Sequence, residues 1–336
     1  MNRKPFRLSV RREAAMRMRF GRMRLVRGPV GPVGPAAPLA MVLALACGCA
    51  ASSGSGTDGG GGSSGAPVRV VASTNVYGDL VQTIGGDKVT VYSIISDPAQ
   101  DPHSYQASAY DRLELSKARL VVENGGGYDD FVDRLLQGAA NPSPTVIDAV
   151  RVSGRTPKAG GELNEHVWYD LPSTGKLGER IAGDLAKADP ADAARFRHNA
   201  TAFQGELTTL ERREARVKAE HGGAEVAATE PLPLYMTGAM GLHNVTPGDF
   251  SRAVEDGNDV SARTLEHTLA LFTGERVKAL VYNAQTSGPP SDKVEAAAKD
   301  HGVPVVLVTE TLPPGQHYLG WMSANIAAIA GALERR

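Results

Sequence analysis

From residue 68 onward, short β-branched runs alternate with stretches whose apolar residues recur every three or four positions. The run Val68 to Ser73 predicts a buried strand. Val76, Leu80 and Ile84 follow at helical spacing and stop at Gly85 and Gly86, which predicts a helix capped by Asn75. Further strands are expected at Val89 to Ile95, Arg119 to Glu123 and Thr145 to Asp148. Helical stretches over Ser108 to Lys117 and Asp129 to Leu136 separate them. This alternation implies right-handed βαβ units and a parallel sheet. Ligands of such sheets sit in the loops beyond the carboxyl ends of the strands.

A longer helical pattern comes next. Ser173 is placed to cap it, and Leu177, Ile181 and Leu185 line one face. Asp189 and Pro190 restart the pattern with a capping residue and a proline at the first helical position. Phe196, Phe203, Leu207, Leu210 and Val217 continue the stripe, so nearly continuous helix is expected over 173–221. The strand–helix rhythm then returns. Strands are predicted at Glu225 to Thr229, Val277 to Tyr282 and Val303 to Val308. Helices are predicted at Pro233 to Met240, after a capping Ser261, at Ser291 to His301 and at Tyr318 to Leu333. The expected class is α/β, with two similar lobes built on parallel sheets. The expected division is an N-terminal lobe over 67–172, a connecting helix over 173–189 and a C-terminal lobe over 190–336.

The chain has 336 residues, enough for about two domains. Its formal charge of −1 is unevenly placed. Residues 1–48 hold ten Lys or Arg and one acid, Glu13, which leaves 26 basic and 36 acidic residues in the body, a net charge near −10. A body this acidic argues against nucleic acid as a partner and suits a protein that meets cations. The basic residues Arg17, Arg19, Arg22, Arg24 and Arg27 precede an apolar run, Leu39 to Ala46, too short to span a bilayer. This is the layout of a secretory signal peptide over 1–49, with translation starting at Met1 or at Met16, Met18 or Met23. The chain's two cysteines, Cys47 and Cys49, end the segment after small residues, as in a bacterial lipobox. Lipidation of either is expected, with a disulfide or a plain cleaved signal as alternatives. Residues 50–66 form a Gly/Ser-rich tether. The body has no cysteine, so thiolate metal sites are excluded.

The strand-end polar residues carry the candidate chemistry. His103 lies in Asp101-Pro102-His103-Ser104-Tyr105, after the second strand. His166 lies in Asn164-Glu165-His166-Val167-Trp168-Tyr169-Asp170, before the long helical run. Glu230 follows the Glu225 strand and Glu310 the Val303 strand. Should both lobes turn their strand ends toward one cleft, two imidazoles and two carboxylates meet there. Such a mixed N/O set suits a divalent first-row cation, Zn²⁺ at ~2.0–2.2 Å or Mn²⁺ through its oxygen share. Its ligands must be deprotonated, so binding should weaken as pH falls through the histidine range. Taken singly, a loop histidine is more commonly hydrogen-bonded or solvated. His198, His221, His267 and His301 are read as surface residues, and Trp168 and Tyr169 as packing beneath the site.

The two histidine phrases, the Gly125-Gly126-Gly127-Tyr128-Asp129 segment and the final Tyr318-Leu319-Gly320-Trp321-Met322 stretch resemble the zinc/manganese-binding lipoproteins of bacterial ABC importers, the zinc-uptake solute-binding family. The resemblance runs from about Val68 to Leu333. It implies two βα lobes joined by a long rigid helix, a metal site in the cleft between them, and only small lobe motions. It implies His103 and His166 as ligands from the first lobe and Glu230 as the third ligand. Many members place an Asp after the last strand, where this chain reads Thr309-Glu310-Thr311-Leu312-Pro313. Glu310 is the expected substitute, with His317 or a water as alternatives. The His-rich loop of many zinc-binding members is missing, since residues 151–165 hold no histidine. The resemblance further implies a monomeric, membrane-anchored extracytoplasmic protein. It would capture Zn²⁺ or Mn²⁺, deliver the ion to a permease and its ATPase, and catalyse nothing. Two other readings stand beside it. One is a zinc hydrolase, for which Glu165 is the only near candidate as general base. The other is a metal-free adhesin or binding module.

Overall fold

A computed structural model of the chain describes residues 65–98, 100, 102, 105–138, 144–157 and 162–335. The expected signal segment, both cysteines, most of the tether and His103 lie outside the described residues.

Each half forms one four-stranded, all-parallel sheet. The first contains β1 (Val68–Thr74), β2 (Val89–Ile95), β3 (Leu120–Glu123) and β4 (Thr145–Asp148), in the order β2-β1-β3-β4. The second contains β5 (Glu225–Ala228), β6 (His243–Asn244), β7 (Val277–Asn283) and β8 (Val305–Val308), in the order β6-β5-β7-β8. The two orders are the same, so the halves are lobes of one design. Strand β6 has only two residues and leaves no period to read.

The first lobe's helices are α1 (Asn75–Gly85), α2 (Ala109–Lys117), α3 (Phe131–Gly138) and α4 (Ala149–Ser153). A helical pair follows, α5 (Leu171–Ala188) and α6 (Ala193–His221). The second lobe adds α7 (Leu234–Ala239), α8 (Gly248–Glu255), α9 (Ala262–Ala270), α10 (Pro289–Asp300) and α11 (Tyr318–Leu333). None of the described helices is long and apolar enough to cross a membrane.

The expectation of nearly continuous helix over 173–221 is corrected. The chain reverses at Asp189, whose side chain accepts from the Ala191 amide at 3.2 Å. Antiparallel packing of α5 on α6 brings Gly178 against Phe203: a Cβ on that glycine would lie 3.1 Å from the Phe203 ring. A residue before proline is pushed out of the helical region, so the Asp-Pro pair begins a second helix in a new direction. The apolar stripe runs through the turn because both helices bury one face in the same core. The 29-residue α6 packs on α1 and α5 at one end and on α7 and α11 at the other.

Two expected caps also differ. Thr74 occupies the cap position of α1. Asn75 instead exchanges two hydrogen bonds with the backbone of Leu312 in the second lobe, each 3.0 Å. Ser173 lies inside α5 and donates to Asp170. By contrast, Ser261 caps α9 as expected, accepting from the Thr264 amide at 3.1 Å.

One hydrophobic core runs through both lobes, from Val70 and Tyr77 through Leu207 to Ala279 and Ile329. Smaller clusters line the outer faces, around Phe131 in the first lobe and Phe272 in the second. The inner faces are thus fused through α1, α5, α6 and α11, and the strand ends face one cleft.

The glycine turn after β3 shapes that cleft. Gly125, Gly126 and Gly127 have φ of +74°, +68° and +98°, left-handed values that suit glycine. Asp129 closes the turn by accepting from the amides of Asn124 (2.6 Å) and Gly125 (2.8 Å). A Cβ on Gly125 would fall 2.5 Å from Asp148 Oδ1. Gly125→Ala is therefore expected to cost about 1–3 kcal/mol in backbone strain alone. Urea denaturation measures this, and an unchanged midpoint would contradict it.

Candidate metal centre

His166 follows an extended stretch and precedes the 3-10 turn Val167–Tyr169. Its side chain is fully buried. The Asn164 side-chain oxygen accepts from the His166 amide (3.1 Å) and faces Nδ1 at 2.9 Å. An oxygen can only accept, so Nδ1 carries the proton and Nε2 offers its lone pair. Asn164 also donates to the Pro231 carbonyl at 2.9 Å, and its own carbonyl accepts from Tyr235 Oη at 2.7 Å. The histidine of the first lobe is thereby set relative to the residue after Glu230 in the second. A carbonyl-oxygen partner on the far nitrogen is the usual orienting contact of a metal-binding imidazole.

Trp168, Tyr128 and Tyr169 wall the site from below. The rings of Trp168 and Tyr128 lie 5.1 and 5.8 Å from the His166 ring. Trp168 and Tyr169 are buried, as expected of packing residues. Tyr169 donates across the lobes to the Thr309 carbonyl at 2.7 Å.

Glu230 and Glu310 are both buried near this place at the lobe junction, although the acids whose oxygens group within 4.8 Å of the His166 ring nitrogen, among the described residues, are Glu165 and Glu255. Asn283, the last residue of β7, joins them: its Nδ2 donates to Glu230 Oε2 at 2.6 Å and to Glu310 Oε1 at 2.8 Å. Thr286 donates to the other Glu230 oxygen, and Tyr128 donates to Glu310 Oε2 at 3.0 Å. Gln285 holds the loop from beneath, its Oε1 accepting from the amides of Glu310 (2.6 Å) and Thr311 (3.0 Å) and its Nε2 donating to the Pro98 carbonyl at 2.6 Å. Asn283, Thr286 and Tyr128 thus supply donors to all four oxygens of the pair, and a bound cation would offset the repulsion that ionising two buried neighbouring acids creates.

His103 lies outside the described residues, although its neighbour Pro102 is buried. His317 is placed elsewhere: its side chain is 83% exposed and pairs with Asp79 at 2.6 Å.

Four contributors lie outside the expected set. Asn283, Thr286 and Tyr128 are the donors to the carboxylates, and the signal for Asn283 is its place at a strand end, as with Glu230 and Glu310. The fourth is Glu255, the last residue of α8, whose Oε1 lies 3.6 Å from His166 Nε2. Helix α8 carries Phe250, Ala253 and Val254 on one side, but eight residues are too short a run for that pattern to announce itself. Burial and the neighbouring Glu165, Glu230 and Glu310 push the Glu255 carboxyl up to about 9.

The pieces together make a two-lobed α/β binding protein, with a buried imidazole and carboxylates converging where the lobes meet. Residues 70–332 match the family described as zinc-uptake complex component A, periplasmic (ZnuA), and the chain belongs to that family. It is 25% identical over 302 residues to the manganese ABC transporter substrate-binding lipoprotein ScaA of Streptococcus gordonii, covering 81% of this chain and 91% of that one. It is 26% identical over 258 residues to the manganese-binding lipoprotein MntA of Bacillus subtilis, covering 73% and 80%. Among solved structures, the periplasmic zinc-binding protein TroA of Treponema pallidum superposes with a TM-score of 0.67 at 21% identity, over 80% of this chain and 99% of that one. The Mn²⁺ complex of FpvC from Pseudomonas aeruginosa also gives 0.67, at 23% identity and the same coverage. The expected fold, two parallel α/β lobes with a long helix, is the one observed.

Proposed function

We propose that this protein is the extracytoplasmic solute-binding component of an ABC metal importer. It captures a divalent first-row cation, Zn²⁺ or Mn²⁺, and hands it to a membrane permease driven by an ATPase subunit. His103, His166, Glu230 and Glu310 are the proposed ligands. The observation that carries the reading is the Asn283 amide spanning Glu230 and Glu310, two buried carboxylates gathered at the lobe junction that also buries His166. Relatives named as manganese-binding and iron-transporting lipoproteins support metal as the cargo. The family consists of transport substrate-binding proteins and not enzymes, so the captured ion is cargo. Delivery needs the protein only as a monomer, tethered through a lipidated Cys47 or Cys49 by the segment 50–66. In this reading the lobes 67–172 and 190–336 are joined through the helix 173–189 and its antiparallel partner α6.

Competitive calorimetric titration with Zn²⁺ and Mn²⁺ tests the reading. One ion per chain is expected, bound tightly, with affinity falling as pH drops through the histidine range. Because N/O sites as a rule hold Zn²⁺ more tightly than Mn²⁺, an affinity for Mn²⁺ that equals or exceeds that for Zn²⁺ would mark manganese as the cargo. Absence of binding by both would remove the transport function and leave the fold.

A further inference from the structure

The Glu255 carboxyl has a place in the molecule that packing does not explain. Helix α8 is anchored by Phe250, buried in the second lobe's outer core, and by Ser251, which donates to the Ala228 carbonyl at 3.4 Å. Ser251 and Glu255 are four residues apart and share a helix face, so the anchor aims Glu255 at the strand end that carries Glu230. Its side chain is nine-tenths buried, with 10% exposed. Its Oε1 receives no hydrogen bond among the described residues. A buried carboxyl oxygen without a partner costs roughly 1–3 kcal/mol, and a cation that displaces the carboxyl proton would supply one. That oxygen faces the nitrogen on which the proposed function depends, at 3.6 Å. An ion held at ~2.1 Å from both atoms would subtend an angle of about 120° between them, within the range of four- and five-coordinate sites. Glu165 completes the group: one ligand atom from each of Glu165, His166 and Glu255 lies within 4.8 Å of the other two.

We propose that Glu255 is a direct ligand of the captured ion, bonding through Oε1 to the same cation as His166 Nε2. This rests on the metal-capture reading above. It raises the oxygen share of the donor set beyond two carboxylates and so favours a harder ion with more than four ligands, Mn²⁺, relative to a set without it.

The test compares the full chain with Glu255→Gln and Glu255→Asp in Mn²⁺ titrations, with melting curves to establish that each is folded. Gln keeps the shape and removes the charge, while Asp keeps the charge and withdraws it by one methylene. Both are expected to weaken Mn²⁺ binding about a hundredfold or more, beyond the 10–100-fold loss typical of changing a residue that only supports a ligand. Unchanged affinity in Glu255→Gln would overturn the proposal. So would a loss in Gln with full affinity in Asp, since that pattern marks a field effect without a bond. Failure of the unsubstituted chain to bind Mn²⁺ would overturn the proposal while leaving Zn²⁺ capture standing. Failure to bind either ion would overturn the capture reading itself.

Discussion

Replacing Glu310 with alanine is expected to weaken capture of the cation roughly a hundred- to a thousandfold, whereas His317→Ala leaves it unchanged. Structural Zn²⁺ held by four protein ligands in small peptides is worth about 10–16 kcal/mol. A quarter share is about 2.5–4 kcal/mol, which corresponds to that range of affinity. Glu310 is buried and accepts from Asn283 and Tyr128, so its oxygens are already oriented before an ion arrives. His317, the other candidate for this position, stands on the surface with Asp79. Calorimetric titration of both variants decides the matter. Full affinity in Glu310→Ala, or a large loss in His317→Ala, would move the fourth ligand away from Glu310.

The second large effect concerns stability and lies away from the metal. Glu214, on α6, is buried beside a cavity that Asp170 and Tyr235 also line. Its Oε1 has no hydrogen-bond partner among the described residues. Burial, with help from Glu211 and Asp170, pushes its carboxyl from 4.5 up to about 8. Between those values the folded chain keeps a proton that the unfolded chain has released. Stability is therefore highest below pH 4.5 with respect to this group and falls as pH rises toward 8. A shift of this size corresponds to about 5 kcal/mol at most, at 1.36 kcal/mol per pH unit. Glu214→Gln carries no such penalty. It is expected to match the parent near pH 4.5 and to exceed it by several kcal/mol at pH 8. Urea unfolding of the metal-free proteins at pH 4.5, 6 and 8 measures the difference. A gap that stays constant across the three would show that Glu214 titrates as an ordinary carboxylate.

Much of the fold was legible in the chain itself. The strands β1 to β5, β7 and β8 are β-branched runs bounded by polar or glycine residues, and each was placed within two residues of its observed ends. Burial on both faces makes the central strands β1, β3, β5 and β7 nearly continuous apolar runs, and the edge strands β2, β4 and β8 stand out through their β-branched residues instead. The signals that failed were local ones overridden by tertiary contacts. Asn75 has the chemistry of a cap but is used to hold Leu312 across the lobes. The stripe over 173–221 records one buried face and cannot record that the chain turns back on itself at Asp189.

The site divides in the same way. His166, Glu230 and Glu310 were nominated from their positions at strand ends or in the histidine phrase, since a parallel sheet directs ligand-bearing loops to its carboxyl edge. The sequence alone thus determined two α/β lobes, an acidic body and a set of imidazole and carboxylate donors. Only the tertiary structure decided which side chains meet. It sent His317 to the surface, set Asn283 between two carboxylates, and brought Glu255 to His166 from a helix of only eight residues. The physical reason is that periodicity reports which face of an element is buried. The meeting of residues 53 to 89 positions apart in the chain is set instead by how two sheets and a shared core pack, which no local pattern encodes.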